Sequence, residues 1–265
     1  MTTLPLPADT PPPDPWSALR QHTPARIALG RAGTSLPTHE LLRFAAAHAM
    51  ARDAVHVPLD VAALAAALQV DGWATQVVAS RAPSREAYLR RPDWGRRLQA
   101  DSVAVLEAAA AAGAGAPVDL AIVVADGLSA AAVQQHVPLL LRLLRAALAE
   151  VGAPALALAP VTIATQARVA LADEVGALLQ ARLVLILLGE RPGLSAPDSV
   201  GAYLTHAPEV GTTDAQRNCI SNIRPDGLAP DLAARRLAWL VHAALRRRTT
   251  GIALKDDSAT ALLPP

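Results

Sequence analysis

Two apolar runs, LAIVVA within VDLAIVVAD (118–126) and LVLILL within RLVLILLG (182–189), constrain the fold more than any other feature of the chain. Neither alternates polar with apolar residues, so each reads as a strand buried on both faces. Such strands belong to parallel sheets covered by helices on both sides. The segments around them agree. LSAAAVQQHVPLLLRLLRAALAEVG reads as a helix, PALALAPVTIA (154–164) as the next strand region and ADEVGALLQA (172–181) as a helix. PDLAARRLAWLVHAALRRRT (230–249) is a closing amphipathic helix. Strands alternating with helices predict an α/β fold.

The first part of the chain is organised differently. Residues 1–24 carry seven prolines and few large apolar groups, which predicts a mobile tail. Residues 25–113 read as mainly helical, with helices at 38–55, at 57–68, capped by Asp60 or begun at Pro58, and over 97–112; Pro92 and Gly95 break the stretch before the last. GWATQVVAS (72–80) alternates as a strand does. GAGAP (113–117) is the expected joint before a domain over 114–265.

Bulk properties narrow the partners. With 24 basic and 23 acidic residues the formal net charge is +1, so nothing points to nucleic acid or an anionic membrane. No apolar run reaches the roughly 18 residues of a membrane span. The N-terminus lacks a basic segment followed by an apolar one, and the lone Cys219 suits a reducing compartment. A soluble, intracellular protein is expected.

In parallel sheets ligands sit beyond the carboxyl ends of the strands. Three loops are expected there: ADGLSA (125–130), GERPGL (189–194) and NCISNI (218–223). Glu190 therefore stands at a ligand rim, or else forms a structural salt bridge with Arg191 or Arg217. Ser129 stands in Gly127-Leu128-Ser129-Ala130-Ala131, one residue short of a nucleophile elbow. A serine hydrolase with Asp198 and His206 or His242 is one reading; a serine serving a helix's first turn is the other. No dinucleotide fingerprint, histidine pair or cysteine pair suggests a bound dinucleotide or zinc. YLRRPDWGRRL (88–98) holds four arginines and two aromatic residues, so it grips an anion or, with Asp93, neutralises itself at a protein interface. Arg26, Arg31 and Arg43 suggest another protein contact. Cys219 is either a small buried group or, between Asn218 and Ser221, part of a polar pocket wall.

Several collinear stretches resemble one family, the small (light) subunit of ethanolamine ammonia-lyase: RIALGRAG, LLRFAAAHAMARDAV, YLRRPDWGRRL, DLAIVVADGLSAAAV, ARVALADEVGALLQARLVLILLGERPGLSAPDSVGAYLTHAP and RNCISNIRPDGL. They cover most of residues 26–254. The resemblance implies a Rossmann-like cobalamin-binding domain over 114–265 after a mainly helical N-terminal region. It implies an adenosylcobalamin-dependent lyase, converting ethanolamine to acetaldehyde and ammonia, whose large subunit carries the chemistry. This chain would help hold the cofactor through Val169, Glu190 and Cys219, with no catalytic residue and no metal ligand of its own, cobalt being carried by cobalamin. Ala-Arg-Val stands at 167–169 where relatives often have Gly-Arg-Val. The sequence lacks the D-x-H-x-x-G motif of proteins that replace the cobalt's lower base with histidine. The implied partner is the large subunit, within a larger hetero-oligomer. The short tail favours the cytoplasm; a bacterial microcompartment is the alternative location. A cobalamin-binding or assembly module without turnover is the alternative function.

Overall fold

The computed structural model describes residues 16–23, 25–31, 33–112, 118–150 and 155–258. Most of the proline-rich tail, and the GAGAP joint, lie outside the described residues. The chain divides into a small unit, residues 1–50, and a large one, residues 51–265. In the small unit a 3-10 turn, Ser17–Gln21, precedes most of helix α1, Thr38–His56. Glu40 there receives Arg20, His39 and Arg43. Leu41, Leu42, Phe44 and Met50 are exposed on this helix.

The large unit is built on a six-stranded sheet in the order β1-β3-β2-β4-β5-β6. The strands are β1 Thr75–Ala79, β2 Val118–Ala125, β3 Val161–Thr165, β4 Ala181–Gly189, β5 Val200–His206 and β6 Arg217–Ile223. β1, β3, β2 and β4 are parallel; the apolar runs of β2 and β4 are buried on both faces as the sequence predicts, while the alternating β1 buries Val78 and leaves Val77 exposed. β5 extends the sheet antiparallel to β4, and β6 follows antiparallel to β5. The NCISNI segment, expected as a loop, is therefore an edge strand, and Cys219 pairs in register with Tyr203.

The remaining helices are α2 Val61–Val70, α3 Arg85–Arg90, α4 Ala100–Ala112, α5 Ala130–Glu150, α6 Leu171–Leu178 and α7 Pro230–Arg247. One apolar layer joins α2, α5 and α7 to one face of the sheet through Leu64, Leu140, Leu185 and Leu237. The other joins α4 and α6 to the opposite face through Leu106, Val123, Leu171 and Ile186. Asp60 caps α2, its carboxylate accepting the Ala63 N–H at 2.9 Å. Among the described residues no single helix is long and apolar enough to cross a membrane.

This topology places the site. From β2 the chain turns back to β3, whereas from β4 it proceeds outward to β5. The segments leaving β2 and β4 thus diverge from neighbouring strand ends, which opens a crevice there.

Candidate functional site

The floor of that crevice is two crossing backbones. A Cβ on Gly127 would lie 2.2 Å from the Gly189 carbonyl oxygen, and one on Gly189 would lie 2.0 Å from that of Ser129. Gly127 also has φ +56°, and the Leu128 N–H donates to the Gly189 carbonyl at 2.8 Å. Only glycine allows this approach. It explains why a glycine ends each of the two apolar runs.

Ser129 lies just beyond the crossing, fully buried. Its hydroxyl donates to the Pro197 carbonyl at 3.0 Å and accepts the Ala132 N–H at 3.3 Å at the start of α5. Neither His206 nor His242 bonds to it; His242 lies 3.4 Å from the Leu148 carbonyl. Asp198 instead meets His136 at 3.3 Å and Arg224 at 3.4 Å. Ser129 is a helix-capping and loop-pinning group, with no base hydrogen-bonded to it among the described residues.

Asp126, the residue after β2, is 3% exposed. Its carboxylate accepts the N–H groups of Gln166 at 2.9 Å and Ala167 at 3.0 Å, with Arg85 at 3.6 Å. Burial raises its pKa above the ordinary carboxylate range, opposed by the two amides and Arg85. The residue thereby fixes the loop after β3, including Gln166 at φ +52°. That loop carries Arg168 and Val169.

The 88–98 segment supports the same loop. Arg168 donates from its backbone to the Gly95 carbonyl at 2.8 Å and from Nη2 to the Tyr88 carbonyl at 3.1 Å. Its guanidinium lies 4.4 Å from the Tyr88 ring centroid, with Arg85 at 4.6 Å. A Cβ on Gly95 would meet Tyr88 at 3.0 Å and Arg168 at 3.1 Å, so glycine there makes room for the stack. Desolvation pushes the Tyr88 hydroxyl up to about 12, against the pull of Arg168. The four arginines divide: Arg91 pairs with Asp93 at 2.6 Å, Arg90 with Glu86 at 3.1 Å and Arg97 with Glu174 at 3.0 Å, while Arg96 has no ion-pair partner among the described residues.

Glu190 stands at the end of β4 with its N–H on the Ser199 carbonyl. Its Oε2 accepts the Asn222 N–H at 3.0 Å; Asn222 has φ +57° and belongs to β6. Oε1 has no hydrogen-bond partner among the described residues and lies over Gly201, where an added Cβ would stand 3.0 Å away. Neither Arg191 nor Arg217 pairs with Glu190; Arg217 is buried and bonded to Asp173.

Val169 and Glu190 share a cavity of about 400 Å³ with Tyr88, Arg168, Gly189 and Tyr203. Cys219 is exposed on β6 beside Tyr203, with its thiol 3.2 Å from the Ser221 hydroxyl. The Tyr203 hydroxyl is pushed up by burial first and then by Cys219 and Glu190. The three residues singled out in the sequence thus lie along one surface: Val169 and Glu190 on the cavity, Cys219 next to its Tyr203 wall. Arg168 and the Asn222 amide carry no signal in the sequence beyond their nearness to Val169 and Cys219. The cavity offers a carboxylate acceptor, a guanidinium and backbone edges, which suits a ligand rich in amides and hydroxyls. Among the described residues no group of histidine, cysteine or carboxylate side chains could hold a metal ion.

A family model described as the ethanolamine ammonia-lyase light chain matches residues 13–255. The ethanolamine ammonia-lyase small subunit of Ralstonia nicotianae is 55% identical over 251 residues, covering 94% of this chain and 91% of that protein. The small subunit of Pseudomonas putida is 56% identical, covering 94% and 90%. That of Xanthomonas campestris pv. campestris is 54% identical, covering 96% and 92%.

Proposed function

The chain belongs to the ethanolamine ammonia-lyase light-chain family, and on that premise we propose that it helps hold adenosylcobalamin against a catalytic large subunit. The enzyme would convert ethanolamine to acetaldehyde and ammonia. When bound, the cofactor supplies the radical chemistry through its cobalt–carbon bond. This chain contributes binding and orientation.

The observation that carries the reading is the meeting of Glu190 and Val169 on one cavity at the diverging ends of β2 and β4. The donor set fits a corrinoid, whose rim presents amides and whose tail presents a ribose and a phosphate. Glu190 would accept from amide or hydroxyl donors through Oε1, Oε2 being engaged by Asn222. A charged acceptor contributes about 1.5–3 kcal/mol per bond. Val169 and Cys219 would give apolar contact and a small, close-packing surface. A corrinoid exceeds a cavity of about 400 Å³, so the large subunit would cover the rest. No residue of this chain acts on the substrate in this account.

The same reading assigns cofactor binding to residues 114–265, after a mainly helical region over 25–113 whose β1 joins the same sheet. It assigns the chain to a larger hetero-oligomer in the cytoplasm, with a bacterial microcompartment as the alternative location. Co-expression with the cognate large subunit tests it. A co-purifying complex with a corrinoid absorption spectrum after reconstitution is expected. A chain that neither binds the large subunit nor adds to its corrinoid retention would refute the reading.

A further inference from the structure

We propose that Arg168 is the centre of a phosphate-recognition site lying between two adjoining cavities. The proposal rests on the corrinoid reading only for the identity of the molecule that brings the phosphate.

Arg168 and Val169 line the cavity of Glu190 and also a second one of about 590 Å³, which Arg96, Arg97, Asp214 and Arg217 help to enclose. Two of those cations are already neutralised. Arg97 makes two hydrogen bonds to Glu174, both at 3.0 Å, and Arg217 binds Asp173 through both its terminal nitrogens. The exposed Asp214 lies 3.5 Å from Arg217 Nε. Arg168 has no carboxylate within 4.0 Å among the described residues, and neither has Arg96.

Arg168 is also rigid. The Tyr88 ring, the Tyr88 carbonyl and the Gly95 carbonyl hold its stem and one edge. Its Nε is buried and Nη2 is spent on Tyr88, so the donor left for a ligand is Nη1, which has no acceptor among the described residues. The amides of Val169 and Ala170, just before α6, have no acceptor there either. A fixed, unpaired guanidinium beside open amides at a helix start is the chemistry that recognises phosphate oxygens. Glu190, the carboxylate of the first cavity, is held away on Asn222 and receives the ligand's donors instead.

The phosphate has two possible sources: the nucleotide tail of a corrinoid seated against Glu190, or free phosphate ion. The complex with the large subunit separates them. A corrinoid with its nucleotide tail and one cut before the phosphate are titrated into wild type, Arg168→Met, Arg168→Lys and Arg96→Ala. Inorganic phosphate is followed in parallel by phosphorus NMR. Arg168→Met is expected to weaken the complete corrinoid about 10- to 100-fold and the truncated one by less than about threefold. Arg168→Lys should fall between, and Arg96→Ala should show the same pattern more weakly. If both corrinoids are unaffected while phosphate binding is lost in Arg168→Met, the site stands and free phosphate is its ligand. Equal weakening of both corrinoids would reduce Arg168 to a wall support and overturn the proposal, as would no change in any ligand. A wild-type complex that binds neither corrinoid would refute the cofactor reading instead, and the phosphate titration alone would then decide this site.

Discussion

The carboxylate of Glu190 accepts the backbone N–H of Asn222 at 3.0 Å, which ties the end of β4 to β6 across the intervening strand. This is possible because β5 presents Gly201 beneath the carboxylate. An alanine there would bring a Cβ to 3.0 Å from Oε1 and 3.1 Å from Cγ. Gly201→Ala is therefore expected to displace Glu190 and weaken cofactor binding by about three- to tenfold, while the melting temperature changes little. Calorimetry beside a cofactor titration checks both halves; unchanged affinity would show that the placement of Glu190 is immaterial.

Cys219→Ala removes a small contact from an exposed strand position. By buried area the loss is about 1 kcal/mol, or under tenfold in cofactor affinity. Turnover at saturating cofactor should hold. A collapse of that saturated rate would mean the thiol takes part beyond packing.

Ser129→Ala should lower stability by about 1–2 kcal/mol, because it removes a helix cap and the tie to Pro197. Denaturant melts measure this. Fluorophosphonate probes should leave the native protein unlabelled, the hydroxyl being fully buried with no imidazole beside it. Stoichiometric labelling of Ser129 would restore the hydrolase reading.

Asp126 gives a pH signature. Its folded pKa is raised above the unfolded carboxyl value of about 4. Within the window between the two, the native state holds a proton that the unfolded chain has released. The contribution of Asp126 to stability is thus present below that window and declines as pH rises through it. The stability of wild type relative to Asp126→Asn should fall with rising pH above about 4. A difference that grows with pH would reverse the assigned direction.

Much of the large unit is legible in the sequence because its central strands are buried on both faces. Leu183 to Leu188 can hardly be anything else, and a charged residue directly after such a run must lie at the rim. The edge is harder. β5 carries Gly201, Tyr203 and Thr205 on one face, and β6 carries Cys219 and Ser221, so neither shows an apolar run. Their inward residues, Val200, Ala202, Leu204, Ile220 and Ile223, are spaced apart along two short strands and form no continuous run. The Arg217–Asp173 pair joins residues 44 apart and has no local trace. Arg168 is likewise unremarkable in sequence; only Gly95, placed where its ring and guanidinium neighbours converge, hints at the stack.

The account stands or falls most directly on the cofactor affinity of Glu190→Ala. Adenosylcobalamin is titrated into the complex of large subunit with wild-type or variant chain, and apparent dissociation constants are compared. Loss of a charged acceptor should weaken binding by about 1.5–3 kcal/mol, or about 10- to 150-fold, with the saturated rate much less affected. An affinity within about threefold of wild type would contradict it: Glu190 would then serve only the Asn222 tie, and the crevice between β2 and β4 would not be where this subunit holds its ligand.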